Sequence, residues 1–330
     1  MVKVSAPSKV ILFGEHAVVY DKLGVAAAID RRVRINVEKA KAGLEMAGEW
    51  KMSAEEMDIA HKKFLAAMQG KDIEALRGMN FKEAFAVTAA VARAKWGGEG
   101  FIVTRERSDP VKGTGGSAAS FAAIAAGIAK LAGKEPSREE ISAVAYAGDC
   151  VAHGGMPSGI DNTVVSMGGY LSYRKSEGLK LFSTSFSAPI VVVNTKEAAS
   201  TRQMVAGVME LKTKKPGLAE GTLRLMEETA AEGLKALKDG DMERIGKLMF
   251  VNHELLRTIG VSTAKLDRVV ELAREMGALG AKLTGAGGGG CAIVLPADAK
   301  HADMLAEMYR RAGFDAFTAQ LGAQGVRLED

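Results

Sequence analysis

Apolar and polar positions change period several times along the chain. Val2-Lys3-Val4 and Val10-Ile11-Leu12-Phe13 predict strands, and Val33, Ile35 and Val37 alternate with Arg34 and Asn36, as in a half-buried strand. Residues 51–80 are polar, Met-rich and helical in composition, and 81–95 fit a further helix. Residues 101–104 (Phe-Ile-Val-Thr) predict another strand, after which Asp109-Pro110 turns the chain into a glycine loop. Residues 117–131 are apolar nearly all round, which predicts a helix buried on most faces. Ser137 and Glu140 form a capping box for the next helix, which runs towards Ala152.

The texture changes after Tyr173. Residues 190–193 (Ile-Val-Val-Val) predict a buried strand, and Ser200 or Thr201 can cap a following helix. Leu223, Met226, Ala230, Leu234 and Leu237 make a helical stripe. Asp241 caps a second helix that Gly260 stops, and Ser262 or Thr263 caps a third that Gly277 stops. A strand over 281–284, a glycine cluster, a strand over 291–295 and a helix over about 300–312 complete the pattern. The expectation is an α+β protein of two halves, 1–175 and 176–330, without internal repeats.

Composition narrows the class. The 330 residues are 47% hydrophobic and 25% charged, as in a globular protein. Two cysteines, Cys150 and Cys291, cannot build a disulfide framework, and a reducing cytoplasm suits them. Residues 1–13 lack the long apolar core of a signal peptide, and the charge-free stretch 113–129 is too short and Ala-rich for a membrane span. A net charge of +4, spread without basic runs, makes nucleic acid a poor partner and leaves room for a small anionic ligand. Glycine is the outlier: 38 occur, where average usage gives about 23.

Four segments hold chemistry. The first, 5–19, places Lys9 before a strand and Gly14-Glu15-His16 after it, where side chains converge on ligands; a hairpin with a surface lysine is the alternative. The second, 109–120, is a glycine loop opening a helix. Its backbone N–H groups and the helix dipole suit phosphate, although a flexible turn with a serine cap has the same residues. Gly113, Gly115 and Ala118 fit G-x-G-x-x-A, but a proline-bearing stretch separates them from the strand, which weakens a nicotinamide dinucleotide site. No Walker A loop occurs. The third segment sets Asp149 and Asp161 on either side of a glycine-rich turn at 154–159, suiting a metal or a base; Asp161 as a plain turn cap is the alternative. His153 has no second His or Cys at zinc spacing and suits a turn or the core. The fourth, 282–291, packs five glycines between two strands, permitting close approach of backbone or ligand.

Together these segments resemble the GHMP family of small-molecule kinases, whose three signatures occur here in order, and within it the branch that phosphorylates mevalonate. Ser5-Ala6-Pro7, Lys9 to Leu12, Gly14 to Val19, Pro157 to Asn162 and Ser200-Thr201-Arg202 are the residues most like that branch. The resemblance implies a two-domain α+β fold, with an N-terminal mixed α/β domain, a ferredoxin-like C-terminal domain and the active site between them. It implies ATP and Mg²⁺ as cofactors, mevalonate as acceptor for its C5 hydroxyl, a homodimer and a cytoplasmic enzyme. Asp161 and Lys9 would be catalytic. Lys112, Gly113, Thr114, Gly115, Gly116, Ser117 and Ala118 would hold ATP, with Ser117 and Asp149 on the metal. Glu15, His16, Thr201, Gly285 and Ala286 would form the acceptor side. Another kinase of the family, or a silent ligand sensor on the fold, are the alternatives. The chain departs from the family pattern in four places: Thr114 and Gly116 replace Leu and the first Ser of Gly-Leu-Gly-Ser-Ser-Ala-Ala, Ser8 stands where Gly is common, Asp149 stands where Glu is usual, and the loop after it is one residue longer.

Overall fold

A computed structural model describes residues 1–70, 72–106, 113–198 and 200–329. The expected turn at Asp109-Pro110 and the candidate Lys112 lie outside the described residues. The first sheet is built on β1 (Val2–Phe13) and β2 (Gly24–Ala40), a long antiparallel pair. The two strands expected at 2–4 and 10–13 are one strand, with a register shift between Pro7 and Ser8. Pro7 has no N–H to give a ladder, and an irregularity is where a strand tolerates it. β3 (Gly43–Met46), β4 (Trp50–Met52) and β5 (Gly100–Arg105) extend the sheet beyond β2; β5 pairs with the second half of β2, and β3 with β5 in parallel. The first half of β2 pairs with β6 (Tyr170–Arg174), which pairs with β7 (Gly178–Phe182). Residue 175 thus falls within the β6–β7 hairpin.

Helices cover this sheet. α1 (Ala54–Gly70) and α2 (Ile73–Arg77) occupy the polar stretch, and α3 (Phe81–Trp96) follows from a capping box at Asn80 and Glu83. α4 (Gly116–Leu131) is buried at every residue from Ala118 to Ala129, sandwiched between β1 and β2 on one side and α3 and α5 (Arg138–His153) on the other. Phe121, Ile124 and Ile128, all at 0% exposure, each contribute about 1.5–3 kcal/mol of burial there. α6 (Ile160–Met167) is a helix where the sequence suggests only a turn; Gly159, in a left-handed conformation, starts it.

The second sheet has β8 (Pro189–Asn194), β9 (Gly280–Thr284), β10 (Cys291–Leu295) and β11 (Asp315–Gln320) in the order β11-β8-β10-β9, all antiparallel. That is the ferredoxin-like order expected for this half. α7 (Thr201–Lys214), α8 (Pro216–Asp239), α9 (Met242–Thr258) and α10 (Ala264–Glu275) intervene between β8 and β9, and α11 (Ala299–Arg311) between β10 and β11. Ser200, Asp241 and Thr263 each cap a helix by accepting a backbone N–H. The last strand, β12 (Arg327–Glu329), returns to the first sheet beside β1. Val10, Leu12, Phe13 and Val25 of the first sheet share a core with Ile190, Val192, Ile293 and Leu295 of the second, so the sheets meet along the end of β1. No helix among the described residues is long and apolar enough to cross a membrane.

Candidate active site

The meeting of the sheets leaves a cavity of about 890 Å³, lined from both sides. β1 brings Lys9 to it, and the Lys9 backbone N–H donates to the Thr114 carbonyl (2.9 Å), hanging the glycine loop from the strand. That loop ends at Gly115, the N-cap of α4, with φ +77° and no side-chain cap. A Cβ at Gly115 would stand 2.8 Å from Lys9 Cγ, so only glycine leaves room for the lysine. The first turn of α4 thereby presents Gly116, Ser117 and Ala118 to the cavity, with backbone N–H groups that have no intrahelical acceptors. A phosphate is the natural occupant of such a helix start.

The carboxylates come from α5 and α6. Asp161, in the first turn of α6, is 3.0 Å from Lys9 Nζ; its side chain keeps 30% exposure against 6% for the lysine. Asn162 beside it donates to the Ser142 carbonyl (3.0 Å) and hydroxyl (2.9 Å), locking α6 to α5. Asp149 is 1% exposed, and neither of its carboxylate oxygens finds a hydrogen-bond partner among the described residues. Burial, then the neighbouring Asp161 charge, pushes its pKa well up; Lys9 and the Asn162 amide, which lies short of hydrogen-bond geometry, oppose this. Two orphaned, buried oxygens at the wall of the cavity fit a divalent cation, which would keep the carboxylate ionised.

The second sheet supplies the opposite wall. Gly285 and Ala286 line the cavity, as do Thr284 and Thr201, the first residue of α7. The glycine run presses against its neighbours: a Cβ at Gly287 would lie 2.1 Å from the Val261 carbonyl oxygen. His16, with φ +61°, shares a hydrogen bond between Nε2 and the Ala286 carbonyl (2.7 Å); burial lowers its pKa, resisted by that bond and by Glu15.

Of the candidates, Lys9, Gly113, Gly115, Gly116, Ser117, Ala118, Asp149, Asp161, Thr201, Gly285 and Ala286 line one cavity. Thr114, Glu15 and His16 do not: Thr114 is buried behind the loop, and Glu15 is enclosed with Lys282 and Asn252. His153, read from sequence as a turn or core residue, lines the cavity, with Nδ1 bonded to the Asp149 carbonyl (2.9 Å). Phe81, Phe85, Arg105, Asn194 and Lys196 also line it and carry no motif in the sequence. Lys196, with φ +61°, alone of these has a backbone signal, visible only in three dimensions.

Residues 82–170 match the family profile described as GHMP kinases N terminal domain, and residues 234–315 the one described as GHMP kinases C terminal. The mevalonate kinase of Pyrococcus furiosus is 35% identical over 336 residues, spanning 99% of this chain and 98% of that protein. The mevalonate kinase of Thermococcus gammatolerans is 34% identical over 339 residues, spanning 100% and 98%. Among solved structures, the L. major mevalonate kinase in complex with R-mevalonate superposes with a TM-score of 0.78 at 26% identity, covering 98% of this chain and 97% of that one. With the profiles covering more than half of the chain and these relatives its whole length, the chain belongs to the GHMP kinase family.

Proposed function

We propose that this chain is a mevalonate kinase, transferring the γ-phosphoryl group of ATP to the C5 hydroxyl of (R)-mevalonate. The observation that carries the proposal is the Lys9–Asp161 pair facing, across one cavity, the uncapped start of α4 and the orphaned carboxylate of Asp149. Its support from outside the site is end-to-end likeness to proteins named mevalonate kinase.

Phosphoryl transfer asks mainly for alignment and charge stabilisation. The α4 start and residues 113–118 hold the phosphates through backbone N–H groups, and Lys112 belongs to the same proposed set. Asp161 accepts or orients the hydroxyl proton of the acceptor, while the Lys9 ammonium, 3.0 Å away, stabilises charge on the transferring group. Asp149 and Ser117 would hold Mg²⁺, which when bound neutralises phosphate charge. Asp149 reaches one methylene less far than the Glu usual in the family, and would hold the metal from that shorter arm. Thr201, Gly285 and Ala286 shape the acceptor side, where His16 acts through its bond to Ala286. Cytoplasmic residence and a homodimer belong to the same proposal; light scattering on the purified protein checks the dimer.

A panel of mevalonate, phosphomevalonate, homoserine and galactose, each with ATP and Mg²⁺, tests the assignment by ADP release. Turnover confined to mevalonate is the expected result. Turnover of another alcohol moves the chain elsewhere in the family, and ligand binding without product makes it a sensor.

A further inference from the structure

Lys282 is the most completely enclosed charged side chain among the described residues, at 0% exposure in the middle of β9. Lysine is rarely buried without a partner. Its ammonium donates to the Glu15 carboxylate, to the Leu283 carbonyl (2.7 Å) and, at the long distance of 3.4 Å, to the Ile11 carbonyl. Glu15, itself 1% exposed, uses its other oxygen to accept from Asn252 Nδ2 (3.2 Å). Neither member of the pair lines the cavity.

The chain neighbours of the pair do reach it. Beyond Lys282, the Thr284 hydroxyl accepts from the Ile11 N–H (2.9 Å) and donates to the Ile11 carbonyl (3.0 Å), two residues from Lys9. Beyond Thr284 come Gly285 and Ala286, and the Ala286 carbonyl bonds His16, the residue next to Glu15. A closed circuit results: Glu15 to Lys282 across the sheets, along β9 to Ala286, back across to His16, and along one peptide to Glu15. Burying two charges costs several kcal/mol each and is often matched or bettered by apolar packing, so stability alone gives little reason for the pair. A buried charge pair does permit only one placement of the segment after β1 against β9, because a shift leaves both charges unpaired.

We propose that Lys282 is a positioning residue for the acceptor side of the site: through Glu15 it fixes the Gly14–His16 segment that follows β1 against β9, and with it the placement of His16 and the Gly285–Ala286 wall relative to Asp161. The proposal rests on the kinase function above. The nucleotide side hangs from the Lys9–Thr114 backbone bond and α4, outside the circuit.

The test is steady-state kinetics and thermal unfolding of full-length Lys282→Met, Glu15→Gln and the double variant, with ATP and mevalonate varied separately. Each single substitution leaves a polar group without its mate and lowers Tm; the double variant, charge-free and similar in volume, recovers most of it. Expected in the double variant is a KM for mevalonate about tenfold above wild type, with the KM for ATP within about twofold. A wild-type mevalonate KM, or an ATP KM raised as far as that for mevalonate, overturns the proposal. Should the double variant not fold, Asn252→Ala loosens Glu15 alone and is expected to raise the mevalonate KM about threefold; no change there overturns it equally. Wild-type protein that turns over a different alcohol of the panel fails the mevalonate assignment only, and the same comparison is then made on that alcohol.

Discussion

Two lysine–carboxylate pairs stand near the junction of the sheets. Lys9 and Asp161 face the cavity, and the Asp161 side chain keeps 30% of its surface exposed. Lys282 and Glu15 are sealed, at 0% and 1%. The open pair can exchange partners as phosphate and hydroxyl arrive, so its charges are available to a reaction. The sealed pair has no room for a third party. Burial lowers the pKa of Lys282, and the Glu15 carboxylate opposes this. The same two functional groups face a cavity in one setting and only the protein in the other, and water access makes the difference.

The largest effect that sharpens this contrast is Asp161→Asn. An amide cannot take the acceptor proton, and kcat is expected to fall by about 10²–10⁴-fold. Because water reaches the pair, unfolding free energy should change by only about 1 kcal/mol. Lys282→Met should show the reverse balance, losing about 3–5 kcal/mol of stability by stranding the buried Glu15. Parallel activity and urea-unfolding measurements check both; an Asp161→Asn protein with near wild-type kcat would break the distinction. Next in size is Gly115→Ala. The added methyl lands on the Lys9 stem in a backbone conformation unfavourable to alanine, displacing the lysine from Asp161. A loss of about 10–100-fold in kcat/KM is expected, seen in initial rates at low mevalonate.

A pH-dependent effect lies behind the sealed pair. The His253 ring accepts the Leu283 N–H at Nδ1 (3.3 Å) and faces Asp267 through Nε2 (3.2 Å). Burial brings its pKa down from 6.5 to about 4, despite Asp267, and Lys282 pushes the same way. The folded state therefore resists protonation that the unfolded state accepts. The stability from this group is fully present above pH 6.5 and is lost as pH falls towards 4. The loss approaches about 3 kcal/mol. Chemical-denaturation curves between pH 7 and 4 should show the decline, and a His253→Gln variant should show a flatter one.

Local signals carried much of this molecule. Caps at Ser137, Asp241 and Thr263, and the apolar run of α4, are decided by neighbours in sequence, and they stand where the pattern placed them. The short α6 was hidden because glycines on both sides masked its eight residues, and it is Gly159 in the left-handed region that starts it. β7, β11 and β12 went unread for another reason: their strand character is conferred by the partners they meet. At the site, Lys9, Ser117, Asp149 and Asp161 were legible because glycine loops and carboxylates in apolar surroundings are costly without a purpose. Glu15 looked like a ligand contact because its partner, Lys282, lies 267 residues away. Phe81, Arg105 and Lys196 had no local mark at all; only the meeting of the sheets brings them to the cavity.

The return of β12 to the edge of β1 has a bearing on biosynthesis. Ser5 bonds Glu329, and the Arg32 guanidinium donates to the carbonyls of Gln324 and Gly325 (2.7 Å each). The strand that carries Lys9 is therefore synthesised well before β12, the strand that covers its outer edge. At about 5–20 residues per second, some 300 residues of synthesis leave that edge unpaired for roughly 15–60 s. A nascent chain in that interval offers an open template for strand addition, which closes only when β12 arrives.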